Sequence, residues 1–335
     1  MEKIIIEEIK KKEKKDLYSH LWGNEELLFE VVKTGKNDTS YEFDFGGDDL
    51  ITMAGKKIAR NFSIEDQIFL EKFKTACSGT GDELRKITTL HSSSLCSLLF
   101  FYNVSESTPV DIDRYKFTES YFEFKNKVIG YPSNIDVVLL GVNTENKKKV
   151  ILFLESKFSE FITGVNSKLK VGKSYFSDKD GCFSKAIYEN LEKNNIINLI
   201  EDENYISSKE KKYLEGIKQM ISHYYGIRNF INEKFYDEEN ENQKKVKNFY
   251  KENKQNCEIL LAGILFDNLS DNQKEKYLAP YEADYIKLAE IINEQICKNN
   301  IKNFKMLEKT LKYSSLKNRL NPKIKKFYFG KLHDK

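Results

Sequence analysis

The sequence predicts an α/β protein in which a sheet lies between helical layers. Three near-continuous apolar runs, 135–142, 150–157 and 258–266, carry the Val/Ile/Leu pattern of strands covered on both faces. Stretches of helical character flank them, around 183–200, 208–235 and 281–298. A strand buried on both sides needs an apolar layer above and below, and these helices supply it.

Taken in order, residues 1–60 mix a lysine-rich helical start with short candidate strands at Leu28–Val32 and Tyr41–Phe45 and a Gly46-Gly47 turn. Ser63-Ile-Glu-Asp66 has the look of a capping box and predicts a helix, with Ile64, Ile68, Phe69 and Phe73 at helical spacing. That helix is expected to stop at Ser78-Gly-Thr-Gly81. A second is expected from Asp82-Glu83-Leu84, burying Leu84, Ile87, Leu95, Leu98 and Leu99, although Thr88-Thr89 and Ser92-Ser-Ser94 disfavour helix. Between 103 and 134 the chain is polar and aromatic, with Pro109 and Pro132 as helix breakers. The run Tyr115–Phe124 reads as strand or core, with base stacking as the functional alternative. The strands 135–142 and 150–157 follow, joined by Asn143–Lys149, a polar loop of hairpin character. Residues 236–256 are charged and predict a solvated connection. Three regions are expected: an N-terminal extension over 1–75, a core over 76–270, and a C-terminal helical segment over 271–335 packed on the core.

Composition narrows the function classes. The 335 residues are 40% hydrophobic and 32% charged, which suits a soluble globular protein with a substantial core. No apolar run approaches the roughly 20 residues of a membrane span. Ile4-Ile-Ile6 is too short for a signal-peptide core, so a cytoplasmic protein without a membrane partner is expected. Cys77, Cys96, Cys182, Cys257 and Cys297 are scattered, with no C-x-x-C pair, which argues for reduced thiols and against structural zinc. The net charge of +3 does not by itself mark a nucleic-acid binder. Arginines are few, at Arg60, Arg85, Arg114, Arg228 and Arg319, so lysine must supply most phosphate neutralisation.

The chemistry concentrates at one end of the predicted hairpin. Pairing Val142 with Val150 sets Asp136 opposite Ser156, and a shift by one residue sets it opposite Glu155. Period two places Glu155 and Lys157 on one face. Two carboxylates forced together repel unless a cation joins them. A hard divalent ion such as Mg²⁺ takes one or two carboxylates, keeps several waters and binds phosphate oxygens. A lysine beside it can hold a water or neutralise developing charge.

Asp136, a short hairpin and Glu155-Ser-Lys157 at the end of a hydrophobic strand resemble the PD-(D/E)xK nuclease superfamily, with its restriction-endonuclease-like fold. Upstream, Ser78-Gly-Thr-Gly-Asp-Glu83-Leu and His91-Ser-Ser-Ser-Leu-Cys96 resemble the N-terminal helical region of a bacterial branch, where a glutamate joins the metal site. Downstream, Gln219 in Gly216-Ile-Lys-Gln-Met-Ile-Ser-His-Tyr-Tyr225 resembles the glutamine-bearing helix after the catalytic strands. The resemblance covers 76–270. It departs from the pattern at Ile135, which stands where proline often precedes the aspartate, and after Gln219, where His223 and Tyr224 break the usual spacing to tyrosine.

The resemblance implies a three-layer α/β/α fold with a central mixed sheet. It implies an endonuclease dependent on Mg²⁺ or Mn²⁺ that cuts DNA, double-stranded by analogy, in restriction or defence, with a homodimer as one assembly. Asp136, Glu155 and Lys157 would be catalytic, Glu83, Asp136 and Glu155 would hold the metal, and Gln219 would be accessory. The alternative is a catalytically inactive relative serving as a nucleic-acid-binding or protein-interaction module. Each residue also has a plainer reading. Glu155 and Lys157 can be a solvated pair, Asp136 can satisfy a turn, and Glu83 suits any first helical turn through the helix dipole. His91 and His223 read as packed or surface histidines, and Lys173 and Lys185 as ordinary lysines.

Overall fold

The computed structural model of the protein describes residues 50–65, 67–77, 92–128, 132–158, 214–236 and 241–330. The expectations at Leu28–Val32, Tyr41–Phe45, the helix start at Asp82-Glu83-Leu84, His91, Lys173, Lys185 and the stretch 183–200 lie outside the described residues.

Within them the chain is mixed α/β. A seven-stranded sheet runs in the order β1-β2-β3-β4-β5-β6, with β7 also against β5. Its members are β1 (Val110–Ile112), β2 (Tyr115–Asn126), β3 (Ser133–Asn143), β4 (Lys149–Lys157), β5 (Cys257–Leu265), β6 (Phe304–Met306) and β7 (Leu311–Lys312). Strands β1 to β4 form an antiparallel meander, and β5 joins β4 in parallel, as do β6 and β7 to β5. The longer helices are α1 (Leu50–Asn61), α2 (Gln67–Ala76), α3 (Ser93–Phe101), α4 (Leu214–Ile231), α5 (Glu241–Asn253), α6 (Ala279–Lys298) and α7 (Pro322–Phe329).

Two apolar cores lie on opposite faces of the sheet. One packs Phe69, Phe73, Leu98, Tyr313 and Tyr328 against Val137, Leu152, Leu154 and Ala262. The other packs Tyr224, Ile227, Phe230, Tyr250, Leu288 and Ile292 against Val138, Ile151, Phe153 and Leu261. The even residues of β4 enter one core and the odd ones the other, which is why this strand lacks a polar face. Each such side chain contributes ~1.5–3 kcal/mol on leaving water, so the ends of β4 are firmly placed.

The hairpin register settles the question left open by the sequence. Gly141 pairs with Val150 and Val137 with Leu154, so continuing the ladder sets Asp136 opposite Glu155. Three local expectations are corrected. The helix expected from Ser63 begins at Gln67, because Ser63 adopts a left-handed φ of 51°. A helix start falls at Ser92, whose hydroxyl accepts from the Leu95 amide, so the serines that argued against helix provide its cap. The charged stretch 236–256 contains α5, which buries Val246 and Tyr250 and even the stem of Lys247. Its lysines masked a narrow apolar stripe.

Helix α4 crosses behind the site end of β2 and β3. A Cβ at Gly226 would lie 2.6 Å from Asn126 Cβ, so only glycine permits this approach. Asn229 then donates from Nδ2 to the Lys127 carbonyl at 2.8 Å, fixing the helix against the end of β2. Among the described residues no helix is long and apolar enough to cross a membrane, and Cys77, Cys96, Cys257 and Cys297 are not in disulfides.

Candidate functional site

The end of β4 holds Glu155 and Lys157 on one face and Ser156 on the other. Glu155 is 2% exposed and Lys157 6%, so the solvated-pair reading does not apply. Lys157 Nζ donates to Glu155 Oε1 at 2.6 Å and to Gln219 Oε1 at 2.7 Å. The second carboxylate oxygen of Glu155, Oε2, lies 2.7 Å from His223 Nε2. On the far side of the ring, His223 Nδ1 lies 2.5 Å from Ser133 Oγ. Gln219 and His223 are four residues apart on α4, one helical turn, and so share a face.

Asp136 reaches the same cluster from β3. Its Oδ2 accepts the Ser156 amide at 2.6 Å, a bond across to β4. Ser156 points into the opposite core, where its hydroxyl donates to the Ser93 carbonyl at 3.2 Å and bonds Tyr313 Oη at 2.8 Å. Strand alternation thus ties the site end of β4 to both helical layers.

The two acids are in opposite electrostatic states. Burial pushes the Asp136 carboxyl well above its ordinary value, and the neighbouring Glu155 charge pushes it further. The Lys157 ammonium and the Ser156 amide work in the other direction, against the added push of Glu123. Burial alone would raise Glu155 as well. Lys157 and His223 outweigh it and bring that carboxyl down to about 2. Glu155 is therefore a firmly held anion, and with Nε2 donating to it, His223 turns Nδ1 toward Ser133.

A third acid, Glu123, was not legible as a site residue. It sits on β2 between Phe122, paired with Val137, and Phe124, paired with Ile135, which sets it across from Asp136. Its φ is 49°, and it is 6% exposed. A non-glycine residue in this region costs ~1–2 kcal/mol. The irregularity also reverses the faces: Phe122 and Val137 enter one core, Phe124 and Ile135 the other. In an unbroken strand, residues two apart share a face. Nothing in the alternation of 115–126 signals this break.

The structure therefore brings together Asp136, Glu155, Lys157 and Gln219, and adds His223, Ser133 and Glu123. Glu83, the expected third metal ligand, lies outside the described residues. Among the described residues no group of three or more His, Cys, Asp or Glu side chains is arranged to hold a metal ion. The donor chemistry nevertheless suits a hard cation. Asp136 and Glu155 supply oxygen ligands, and the upward push on Asp136 comes partly from a neighbouring negative charge that a cation would offset. The signal for His223 was present in the sequence as its one-turn spacing from Gln219. Read alone, a histidine on a mostly apolar helix looks like packing.

No protein-family model matches the chain, and no curated protein or solved structure is significantly similar to it.

Proposed function

We propose that the protein is a metal-dependent nuclease of the PD-(D/E)xK type, with a restriction-endonuclease-like core, acting on DNA in a restriction or defence setting. The observation that carries the reading is the convergence of Asp136, Glu155 and Lys157 at the buried end of the β3–β4 hairpin, with Gln219 on the lysine. The order Asp, hairpin, Glu-x-Lys in the sequence predicts that convergence. DNA as the substrate rests on the family resemblance.

Asp136 and Glu155 would hold Mg²⁺ or Mn²⁺, with Glu83 as a further ligand. Bound there, such an ion acidifies water and stabilises charge on a phosphoryl group. The chain's own residues do the rest. Lys157 keeps a fixed positive charge beside the two acids, and Gln219 holds its ammonium away from free rotation. The apolar body of β4 behind them keeps the local dielectric low, which strengthens every charge interaction at the strand end.

A second reading, an inactive relative that binds nucleic acid or a protein, is favoured by one feature. Both Glu155 oxygens already have partners, in Lys157 and His223. Incubating supercoiled plasmid and labelled duplex with the purified protein and Mg²⁺ or Mn²⁺ separates the two. Cleavage by the wild type that disappears in folded Glu155→Gln and Lys157→Ala supports the nuclease. Salt-sensitive binding with no cleavage under any divalent ion supports the binding module and sinks the nuclease.

A further inference from the structure

We infer that His223, braced by Ser133, is a positioning residue that orients the Glu155 carboxylate for cation binding. The inference deepens the metal-centre reading above and rests on it. Three features carry it.

The first is a match of spacings. Two residues along a strand advance ~6.6 Å, and four along a helix advance ~6 Å. The contacts show that helix α4 runs opposite to β4 where the two meet: Lys157 meets the earlier helix residue, Gln219, and Glu155 the later one, His223. Helix and strand register two contacts at once, and neither can slip without losing both.

The second is completeness. His223 is 2% exposed and Ser133 4%, and both ring nitrogens are occupied, one by Glu155 and one by Ser133. A ring held at both ends cannot rotate, so the Glu155 Oε2 lone pairs are fixed in direction. A packing histidine would need only shape and one acceptor.

The third is the identity of the partner. His223 binds the carboxylate that the β3–β4 register sets opposite Asp136. Carboxylates that ligate metals are themselves held by hydrogen bonds, and removing such a partner weakens metal binding ~10–100-fold. Ser133 opens β3, the strand that carries Asp136, so the brace spans both acid-bearing strands and the helix.

The test is calorimetric titration of MnCl₂ into the nucleic-acid-free protein, with thermal melts run alongside. Wild type is compared with Asp136→Asn, His223→Ala, His223→Gln and Ser133→Ala. Expected is a Kd for Mn²⁺ raised ~10–100-fold in His223→Ala, raised less in Ser133→Ala, and largely restored in His223→Gln, whose amide can still donate to Glu155. If Asp136→Asn loses Mn²⁺ but His223→Ala binds it as wild type does, even with a lowered Tm, the histidine is structural and the inference falls while the centre stands. If His223→Ala does not fold, an unchanged Kd in folded Ser133→Ala overturns it equally. Wild type that takes up no Mn²⁺, or Asp136→Asn that binds it undiminished, removes the centre and the positioning role together.

Discussion

The two ends of the β3–β4 hairpin each hold a glutamate below its ordinary pKa, by different means. At the turn end, Glu258 of β5 accepts from Asn146 at 2.8 Å, from Asn143 at 3.2 Å and from Tyr115 at 3.2 Å. Those donors are neutral, they belong to the turn and its neighbour, and the group is near solvent. At the open end, Glu155 is buried and held by the ammonium of Lys157, two residues along β4, and by an imidazole from the distant helix α4. A carboxylate that only stitches a loop needs neither burial nor a like charge beside it. Glu155 has both, with Asp136 opposite. The difference separates an acid that completes local structure from one whose surroundings are costly and specific.

The comparison can be broken most forcefully at Glu155. Under the proposed activity, Glu155→Ala lowers cleavage by about 10²–10³-fold or more. It also strands Lys157 and His223 in the interior, and breaking a buried pair in this way costs ~3–5 kcal/mol, to be read from urea unfolding. Glu155→Gln should lower cleavage as far at a smaller loss of stability. Next in size is Gly226→Ala. The added methyl meets Asn126 and should cost ~1–3 kcal/mol as overpacking. It also moves Gln219 and His223 off the strand end, so cleavage falls in a protein that still melts cooperatively.

The pH dependence sharpens the contrast between the acids themselves. Glu155 has a folded pKa below its unfolded value, so its contribution is present above about 4.5 and is lost as pH falls toward about 2. Asp136 has a raised folded pKa, so the folded state binds its proton more tightly and loses stability as pH rises above the unfolded value of 3.8. Asp136→Asn is therefore expected to melt above wild type at neutral pH, with the gap opening as pH rises through the carboxylate range. Thermal melts across pH 3–8 check this, and an unchanged gap would remove Asp136 from the crowded pair. The smallest effect belongs to the turn end. Tyr115→Phe removes one hydrogen bond to Glu258 and should cost ~0.5–1.5 kcal/mol with cleavage untouched.

Much of the frame was legible in the sequence because period and composition report burial directly. The runs at 135–142, 150–157 and 258–266 became β3, β4 and β5, and the spacing across Asn143–Lys149 limited Asp136 to facing Ser156 or Glu155. Only the ladder itself chose between them, since a single residue of register leaves the pattern of apolar residues almost unchanged in a strand buried on both faces. Helix α5 was missed because its apolar residues are outnumbered by lysines whose stems lie along the surface. Glu123 was missed because a left-handed residue within a strand leaves no trace in the spacing of its neighbours. His223 could have been found from Gln219 by asking which residue lies one turn on. Its partner, however, comes from a strand 68 residues earlier, a pairing that no local pattern encodes.

Ser156, between the two functional residues of β4, links the site to the order in which the chain is made. Its hydroxyl meets Tyr313, 157 residues later, while its neighbour Glu155 meets His223 after 68. Strands β2, β3 and β4 are consecutive and can zip from local contacts, whereas loop closure over long separations is slower to be rewarded. At ~5–20 residues per second of synthesis, the hairpin bearing both acids exists for about 8–30 s before Tyr313 has been added. Over that interval the emerging chain carries Asp136 and Glu155 without the hydroxyl that props the strand between them. The acids of this hairpin are made early, and their setting is finished late.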